Sequence, residues 1–357
     1  MTPLAALLRD LIAKDGPITV ERYMAEALGH PTHGYYVTRD PLGAGGDFTT
    51  APEISQMFGE MIGLWCVATW RRMGEPSPFV LAELGPGRGT LMADALRAAR
   101  LEPRFLDVAQ LHLVETSPAL REKQSAALST YRPAWHADFS AVPDGPLLLV
   151  ANEFFDALPI RQFERTADGW RERLVGHDGE RFVFVLSSSE PDETLPSNAP
   201  AGAIMENSPA SLRIMREIGE RIARHGGAAL AIDYGYVRTE GTRAWGETLQ
   251  AVRGHQRHDP LEAPGEADQT AHVDFAVLAR AARDAGAVAH GPLPQGLFLK
   301  ALGIEVRALR LARDATPEQR KAIDAALHRL THADGMGLLF KALVIAHPSL
   351  CAPDGFA

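Results

Sequence analysis

The stretch FVLAELGPGRGT, residues 79–90, decides the fold class of this 357-residue chain. Its first half, FVLAEL, is a short apolar run typical of a buried strand, and the run LMADALRAAR that follows Gly89 and Thr90 has helical spacing. Between them Gly85, Gly87 and Gly89 let the backbone turn tightly and let a ligand lie against it. The stretch therefore predicts a strand, a ligand-binding turn and a helix, in that order.

The same alternation continues toward the C-terminus. The apolar runs LHLVE, AWHAD and LLLVAN follow, and the helical pattern PALREKQSAAL comes after the first of them. Strands that alternate with helices are typical of βαβ units, which build a parallel sheet. The later runs GAALAIDYG and LLFKALVIAH are predicted to complete that sheet at the C-terminal end of the chain.

The spacing of the glycines excludes two common phosphate-binding turns. The dinucleotide fingerprint GxGxxG fails because Thr90 or Met92 stands at the third glycine's position, and the P-loop fails because the chain has no Gly-Lys pair. The pattern E-x-G-x-G-x-G instead resembles motif I of the class I methyltransferases, which bind S-adenosylmethionine. This resemblance implies an α/β fold with a Rossmann-like class I methyltransferase sheet, and these cofactor-binding residues: Glu83, Gly85, Gly87 and Gly89.

Polar residues at the ends of the next two strands extend the predicted cofactor site. Glu115 ends the second strand, where an acidic side chain can accept bonds from both ribose hydroxyls. Its distance from the first glycine exceeds the usual ~20 positions, which we attribute to an extra loop at 101–108. Asp138 and Phe139 end the third strand and are predicted to hold adenine, by a carboxylate for the amino group and a ring against the base.

The chain is expected to contain two regions. Residues 1–78 are predicted to form a mostly helical N-terminal region, and residues 79–350 the methyltransferase domain. Two insertions interrupt that domain. Strand-like alternation with Asp-Gly turns predicts a β insertion within 160–205, and helical patterns predict a helical insertion, a pair of helices, within 295–332.

Two capping boxes mark predicted helix starts. Thr50 and Glu53 form the pattern T-x-x-E before apolar residues at helical spacing, and Thr316 with Gln319 repeats the arrangement. The glycine-rich loop from Gly43 that runs into the first box has the composition of a lid over the cofactor.

Composition narrows the classes of partner and compartment. With 36 Lys+Arg and 45 Asp+Glu the formal net charge is −9, which argues against a surface that neutralises nucleic-acid phosphates. The chain's two cysteines, Cys66 and Cys351, exclude a disulfide framework by their number. The longest apolar stretch falls well short of the roughly 18 residues of a membrane span. The N-terminal sequence has no signal-peptide pattern, so we expect a cytoplasmic bacterial protein without a membrane span.

Histidines provide a weak indication of metal. His255 and His258 form an HxxH pair in a polar stretch, but no HExxH pattern accompanies them, and His272 is expected near a helix start, where Asp274 favours the positive end. We predict no metal site.

Eight motifs together resemble the MidA family, which comprises the mitochondrial complex I assembly factor and its bacterial relatives. The resemblance runs from Asp15 to Ala346. Small departures occur at Glu247, Gln269 and Pro294, outside the cofactor motifs. The motifs are HPTHGYY, GDFTTAPEIS, ELGPGRGTL, VETSP, ANEFFDALP, AIDYG, TLQAVRGH and HVDF.

This resemblance implies S-adenosylmethionine-dependent methylation of a protein substrate. The family's mitochondrial member is associated with symmetric dimethylation of arginine on a complex I subunit, so a complex I subunit or a similar protein is the expected partner. Neither the target protein nor the oligomeric state follows from the sequence.

The chemistry of arginine predicts which residues hold the acceptor. A guanidinium is always protonated, so its nitrogen attacks well only where carboxylates grip it. Within ANEFFDALP at the end of the fourth strand, Glu153 and Asp156 are the predicted catalytic residues, and Asn152 is a further predicted cofactor residue. A helix N-cap is the alternative role for Asp156. Further candidates are Asp47, Glu206 and Asp233.

Three other functions stay open. The motifs do not specify the methyl acceptor, so a small-molecule or non-arginine substrate is one alternative. A non-catalytic assembly chaperone that retains the fold is a second. A nicotinamide oxidoreductase is disfavoured by the failed dinucleotide fingerprint.

Overall fold

The computed structural model describes residues 2–38, 49–193, 195–237 and 245–356. The loop at Gly43, with the predicted lid, and the candidate Asp47 lie outside the described residues. The chain divides into two compact units. The smaller unit comprises Met1–Phe48, Asp156–Leu212 and Arg238–His272, and the larger comprises Thr49–Phe155, Arg213–Val237 and Val273–Ala357. This division differs from the predicted boundary between residues 78 and 79, because distant segments pack together in each unit.

Fourteen helices are found in the described part of the chain, with two short 3-10 helices at Ala99–Leu101 and Phe139–Ala141. The helices are α1 (Pro3–Asp15), α2 (Val20–Gly29), α3 (Tyr35–Thr38), α4 (Ala51–Ile54), α5 (Gln56–Arg72), α6 (Thr90–Ala98), α7 (Pro103–Val108), α8 (Pro118–Ala127), α9 (Pro209–His225), α10 (Phe275–Asp284), α11 (Gln295–Ala301), α12 (Ile304–Ala312), α13 (Pro317–Thr331) and α14 (Met336–Leu339).

The described residues also form sixteen strands. They are β1 (Ile18–Thr19), β2 (Phe79–Leu84), β3 (Ala109–Val114), β4 (Ala134–His136), β5 (Leu147–Asn152), β6 (Arg161–Thr166), β7 (Gly169–His177), β8 (Phe182–Leu186), β9 (Ile204–Asn207), β10 (Gly227–Tyr236), β11 (Gln250–Arg253), β12 (Gln256–His258), β13 (Asp268–Thr270), β14 (Val273–Asp274), β15 (Val288–Pro294) and β16 (Phe340–Ala346).

The larger unit is built on one mixed sheet. Its strands lie in the order β15-β16-β10-β5-β2-β3-β4, and β14 pairs with β10. The pairs β2–β3, β2–β5, β3–β4 and β5–β10 are parallel, whereas β16 runs antiparallel to β10 and β15. The predicted Rossmann-like α/β fold is confirmed. Because the parallel strands point the same way, the residues that follow β2, β3 and β5 meet at one edge of the sheet.

Apolar sequence on both faces explains why the central strands are buried. All six residues of β2 and all six of β5 are buried, as expected for strands with helices against both faces of a sheet. On the β2 side, α5 packs closely on α6. A Cβ at Gly63 of α5 would lie 2.3 Å from the carbonyl oxygen of Ala95, so glycine permits that contact. The core of this unit includes Trp65, Trp70 and Phe79.

The smaller unit contains two antiparallel sheets. One has the order β1-β7-β6-β9, with β8 paired to β7, and confirms strand structure in the predicted β insertion. The other, β12-β11-β13, falls in a polar stretch for which the sequence predicted no strands. The core of the smaller unit includes Tyr23, Met24 and Tyr35.

Several local predictions need correction. Thr50 caps α4 without a side-chain bond, so the first capping box is wrong, whereas the second, Thr316 with Gln319, is confirmed. Most of the segment 101–108, expected to be a loop, forms α7. The insertion at 295–332, expected to contain two helices, contains three, α11 to α13. In addition, no helix among the described residues is long and apolar enough to cross a bilayer.

Candidate active site

The glycine turn after β2 has the backbone conformation that its sequence predicts. Gly85, Gly87 and Gly89 have φ of +61°, +55° and +82°, a region that side chains with a Cβ rarely adopt. A Cβ at Gly85 would also lie 2.9 Å from Cδ2 of Phe154. Gly89 is the N-cap of α6, so the turn leads directly into the positive end of that helix. The geometry is that of a turn open to close approach by a ligand.

Glu83 lies one residue before the end of β2 and is buried, with 2% of its surface exposed. Its Oε2 atom has no hydrogen-bond partner among the described residues. Burial raises the pKa of this carboxyl to about 8, because the interior disfavours its charged form. A buried carboxyl with an open acceptor position beside a glycine turn fits a ligand that brings a cation or an N–H donor.

Glu115, after β3, is held by a network that the sequence did not reveal. Its carboxylate accepts bonds from the Ser117 N–H at 2.8 Å and from Nε2 of Gln124 at 3.1 Å. Gln124 is fully buried; its Nε2 also donates to the Gly87 carbonyl at 2.8 Å, and its Oε1 accepts from the Trp135 indole at 2.8 Å. Gln124 therefore connects the glycine turn, Glu115 and β4.

The next predicted pair separates into an exposed acid and a buried ring. Asp138 is exposed and accepts a bond of 2.9 Å from the Ser140 N–H. Hydrogen bonding by the Ser140 side chain, and then by its backbone N–H, holds the pKa of Asp138 below its ordinary value. Phe139 is buried, and the Arg221 guanidinium lies 4.4 Å from its ring centre. One face of that ring is therefore covered by a cation, and contact of Phe139 with adenine stays a prediction.

Glu153 follows β5 in an uncommon conformation. Its φ is +50°, which costs free energy for a residue that carries a side chain. Oε1 accepts bonds from the Ala51 N–H at 2.8 Å and from Nδ2 of Asn152 at 3.0 Å. Oε2 has no hydrogen bond from the described residues. Desolvation raises the pKa of Glu153 to about 7, and these bonds and the positive charge of Arg329 oppose the rise. The carboxylate is thus oriented through Oε1.

A short segment at residues 49–53 connects Glu153 with the glycine turn. While Ala51 donates to Glu153, Oε1 of Glu53 accepts from the Thr90 hydroxyl at 2.5 Å, and Oε2 of Glu53 lies 4.0 Å from Nη1 of Arg88. This is why Glu53 does not complete the predicted capping box. The Thr49 carbonyl accepts a bond of 3.3 Å from Arg329 of α13.

Asp233 of β10, one of the further candidates for holding the acceptor, accepts hydrogen bonds from the backbone. It is fully buried, and its Oδ2 accepts the N–H groups of Phe154 and Phe155 at 3.2 and 2.9 Å. Its Oδ1 accepts from the Tyr234 N–H at 2.9 Å. Asp233 therefore fixes the chain directly after Glu153, and its oxygens face backbone donors.

The other predicted carboxylates belong to the smaller unit. Asp156 is buried in a turn with no helix after it, so the N-cap alternative is wrong. Its carbonyl accepts from the Ala271 N–H at 2.9 Å. Glu206 accepts from Gln162 at 2.8 Å and from the Thr248 and Leu249 N–H groups at 3.0 and 3.2 Å. Glu206 thus clamps two segments of its unit.

The histidines considered for a metal site do not form one among the described residues. Within that part of the chain, the group of potential metal ligands lies elsewhere, so His255, His258 and His272 are not brought together as ligands. Asp274 caps α10 through the N–H groups of Ala276 and Val277, as its position near a helix start predicts.

Sequence reasoning missed four contributors: Ala51, Glu53, Gln124 and Arg329. Each of them makes a hydrogen bond to a residue at least 35 positions away in the chain. Local sequence patterns do not predict such contacts. Gln124 had one possible signal, a polar residue on the buried face of an amphipathic helix.

The sheet order, the glycine turn and the acidic residues after neighbouring strands define an S-adenosylmethionine-dependent methyltransferase of the α/β class. The family model described as "Putative S-adenosyl-L-methionine-dependent methyltransferase" matches residues 61–293. The chain belongs to this family.

Curated relatives and solved structures agree with this assignment. The protein named "Protein arginine methyltransferase NDUFAF7, mitochondrial" from Danio rerio is 40% identical over 94% of this chain and 86% of its own length. The protein of the same name from Homo sapiens is 39% identical over 95% of this chain and 82% of its own. A Burkholderia thailandensis protein described as a "likely methyl transferase", bound to S-adenosyl-homocysteine, is 29% identical with a TM-score of 0.86, covering 99% and 94% of the two chains.

Proposed function

We propose that this enzyme methylates arginine side chains of a protein substrate, and that Glu153 orients the acceptor guanidinium. The observation that carries the proposal is the state of Glu153: a carboxylate with one oxygen fixed by Ala51 and Asn152 and the other without a hydrogen bond from the described residues. The names of the relatives support arginine as the acceptor.

The residues around the glycine turn fit the cofactor. Glu83 offers its open acceptor position to the α-ammonium group, and the turn at Gly85, Gly87 and Gly89 leaves room for the methionine part. Glu115, held by Gln124, would bind the ribose hydroxyls, and exposed Asp138 would accept the adenine amino group. When bound, S-adenosylmethionine supplies a methyl group on a positively charged sulfur.

Glu153 is suited to two tasks in the reaction. Its ionised form attracts a guanidinium and aligns it through a charge-assisted hydrogen bond to Oε2. Positioning of this kind supplies much of the rate enhancement in a displacement reaction. A methylated guanidinium nitrogen must also lose a proton, and a carboxylate whose pKa is about 7 can accept it near neutral pH.

The finer assignments rest on the family resemblance. We propose symmetric dimethylation on a subunit of respiratory complex I or a similar protein as the reaction, and the cytoplasm as its location. Asp156 stays a predicted second carboxylate for the acceptor, testable by Asp156→Asn.

The test is transfer of labelled methyl groups from S-adenosylmethionine to proteins of a cell extract, followed by amino-acid analysis of the hydrolysate. The wild type is expected to label methylarginine. Glu153→Gln keeps the shape of the side chain and removes its charge, so it should lose the labelling and still bind S-adenosyl-homocysteine. Glu122→Gln, an exposed position in α8, is the charge-matched control and should label like the wild type.

Other outcomes identify the alternatives. Label on lysine or on a small molecule would contradict arginine as the acceptor. A Glu153→Gln variant that labels arginine at the wild-type rate would remove Glu153 from the mechanism. Cofactor binding without any transfer would favour the assembly chaperone.

A further inference from the structure

Two histidines and an aspartate lie together at the C-terminal end of α13. His328 is in the last turn of the helix, His332 directly follows it, and Asp334 is two residues further on. Nε2 of His328 lies 3.0 and 3.1 Å from the two carboxylate oxygens of Asp334, and the two imidazole rings stack with their centres 4.1 Å apart. One ligand atom from each residue lies within 4.8 Å of the other two.

The turn that carries these side chains is held by backbone bonds. The His332 N–H donates to the His328 carbonyl at 2.9 Å, and the His332 carbonyl accepts from the N–H groups of Gly335 and Gly337 at 3.1 and 3.0 Å. A Cβ at Gly335 would lie 2.5 Å from the carbonyl oxygen of Arg329, so the turn packs tightly on the helix end. These backbone bonds therefore hold the main chain that carries the three side chains.

The donor set indicates which ions would bind. Imidazole nitrogen and carboxylate oxygen suit zinc, nickel and copper, whereas magnesium and calcium prefer oxygen alone. Tetrahedral zinc with bonds of about 2.0–2.1 Å keeps its ligand atoms roughly 3.4 Å apart. The ligand atoms lie within 4.8 Å of one another, so the side chains must move closer to enclose an ion, and their exposure leaves them room to rotate. Exposure also leaves a path for the ion and a fourth position for water.

We propose that His328, His332 and Asp334 bind a divalent transition-metal ion, with Zn²⁺ as the reference ion. Binding of an ion by these three residues does not require the proposed methyl transfer. Its location has a structural consequence, since Arg329, next to His328, donates to the Thr49 carbonyl. A bound ion would brace the helix end from which that contact is made.

The test is calorimetric titration of the full chain with Zn²⁺ in a buffer that does not coordinate metals. The wild type is expected to bind one ion saturably, and Mg²⁺ should give no signal at the same concentration. The variant His328→Ala/His332→Ala should weaken Zn²⁺ binding about tenfold or more, since it removes two of three ligands. Asp334→Asn should weaken it, whereas Asp324→Asn, an exposed charge-matched change in the same helix, should not.

A second double variant makes the assignment specific. His255→Ala/His258→Ala removes another closely spaced pair of histidines and should leave Zn²⁺ affinity unchanged. The proposal is overturned if the wild type shows no saturable Zn²⁺ binding, or if the loss follows His255 and His258 instead of His328 and His332. Binding of S-adenosyl-homocysteine by each variant shows that it is folded, so a loss of zinc binding is not due to unfolding.

Discussion

The carboxylate of Glu153 accepts a hydrogen bond of 2.8 Å from the backbone N–H of Ala51, 102 positions earlier in the chain. Asn152 donates to the same oxygen, so two donors fix Oε1 while Oε2 has no hydrogen bond from the described residues. Desolvation raises the pKa of Glu153 to about 7, into the range where the group titrates near neutral pH. This hydrogen bond thus connects the start of α4 with the residue after β5, through a side chain that titrates near neutral pH.

We expect kcat at saturating cofactor to rise with pH through about pH 7. Below that value Glu153 is increasingly protonated and cannot attract a guanidinium, so kcat should fall about tenfold per pH unit well below the pKa. The measurement is a pH–rate profile with a methylarginine readout. In Glu153→Gln this limb should disappear together with most of the activity. A wild-type profile that is flat from pH 5.5 to 8, a range we choose to bracket the pKa, would contradict the assignment.

Binding of S-adenosyl-homocysteine should release about one proton at pH 7, because Glu83 is mostly protonated without ligand and ionises beside an ammonium group. Titration calorimetry in buffers of different ionisation enthalpy measures this number. Glu83→Gln should abolish the release, and Glu153→Gln should retain it. Equal release by wild type and Glu83→Gln would show that another group is responsible.

Glu83 also predicts the pH dependence of stability. The folded state keeps a proton on Glu83 up to about pH 8, while the unfolded chain loses it near its ordinary carboxyl pKa. The raised pKa therefore lowers the free energy of unfolding as pH increases from about 5 to 8, by up to a few kcal/mol. Chemical denaturation should show this slope reduced in Glu83→Gln. A variant with the same slope as the wild type would exclude Glu83 as its source.

Gln124→Leu should weaken binding of S-adenosyl-homocysteine and also lower the stability of the fold. The change removes the donor to the Gly87 carbonyl and to Glu115, so two parts of the site lose their alignment. We expect the affinity to fall because the turn and Glu115 are no longer aligned, and the free energy of unfolding to fall by roughly 1 kcal/mol for each of the two buried hydrogen bonds. Trp135→Phe is the matched control because it removes only the indole donor to Gln124, and it should retain most of the affinity.

Gly87→Val should abolish cofactor binding. The residue has φ of +55°, which a β-branched side chain does not tolerate, so the turn proposed to hold the cofactor should be distorted. Calorimetry with S-adenosyl-homocysteine is the measurement. Gly74→Val is the control for backbone strain, since Gly74 has φ of +83° with open space around it and should retain binding.

Asp233→Ala should destabilise the larger unit. It leaves the buried N–H groups of Phe154 and Phe155 without their acceptor, at an expected cost of about 2–4 kcal/mol. Denaturant unfolding measures the loss. Asp144→Ala is the control. Asp144 is exposed and accepts no bond from a backbone N–H in the described part of the chain, so its loss should change stability little.

The local sequence predicted most of the cofactor side of the site. The strand FVLAEL, the glycines after it and the acid after the next strand depend on short-range patterning, since buried strands are apolar and the tight turn requires glycine. The same patterns failed at Glu53, where a capping box is locally favourable but the Thr90 hydroxyl competes successfully for the carboxylate. They also missed β11 to β13, whose polar strands are stabilised by pairing with each other.

By itself the sequence determined the α/β sheet, the glycine turn and the positions of Glu83, Glu115 and Glu153 at strand ends, because these follow from burial and backbone geometry over a few residues. Only the tertiary structure decided what each acid does. Asp233 accepts bonds from backbone N–H groups, Glu206 clamps two segments of the smaller unit, and Glu153 is oriented through Oε1 by Ala51 and Asn152. The reason is physical: the pKa and the partners of a carboxyl depend on desolvation and on donors such as Ala51 and Gln124, which only folding brings near.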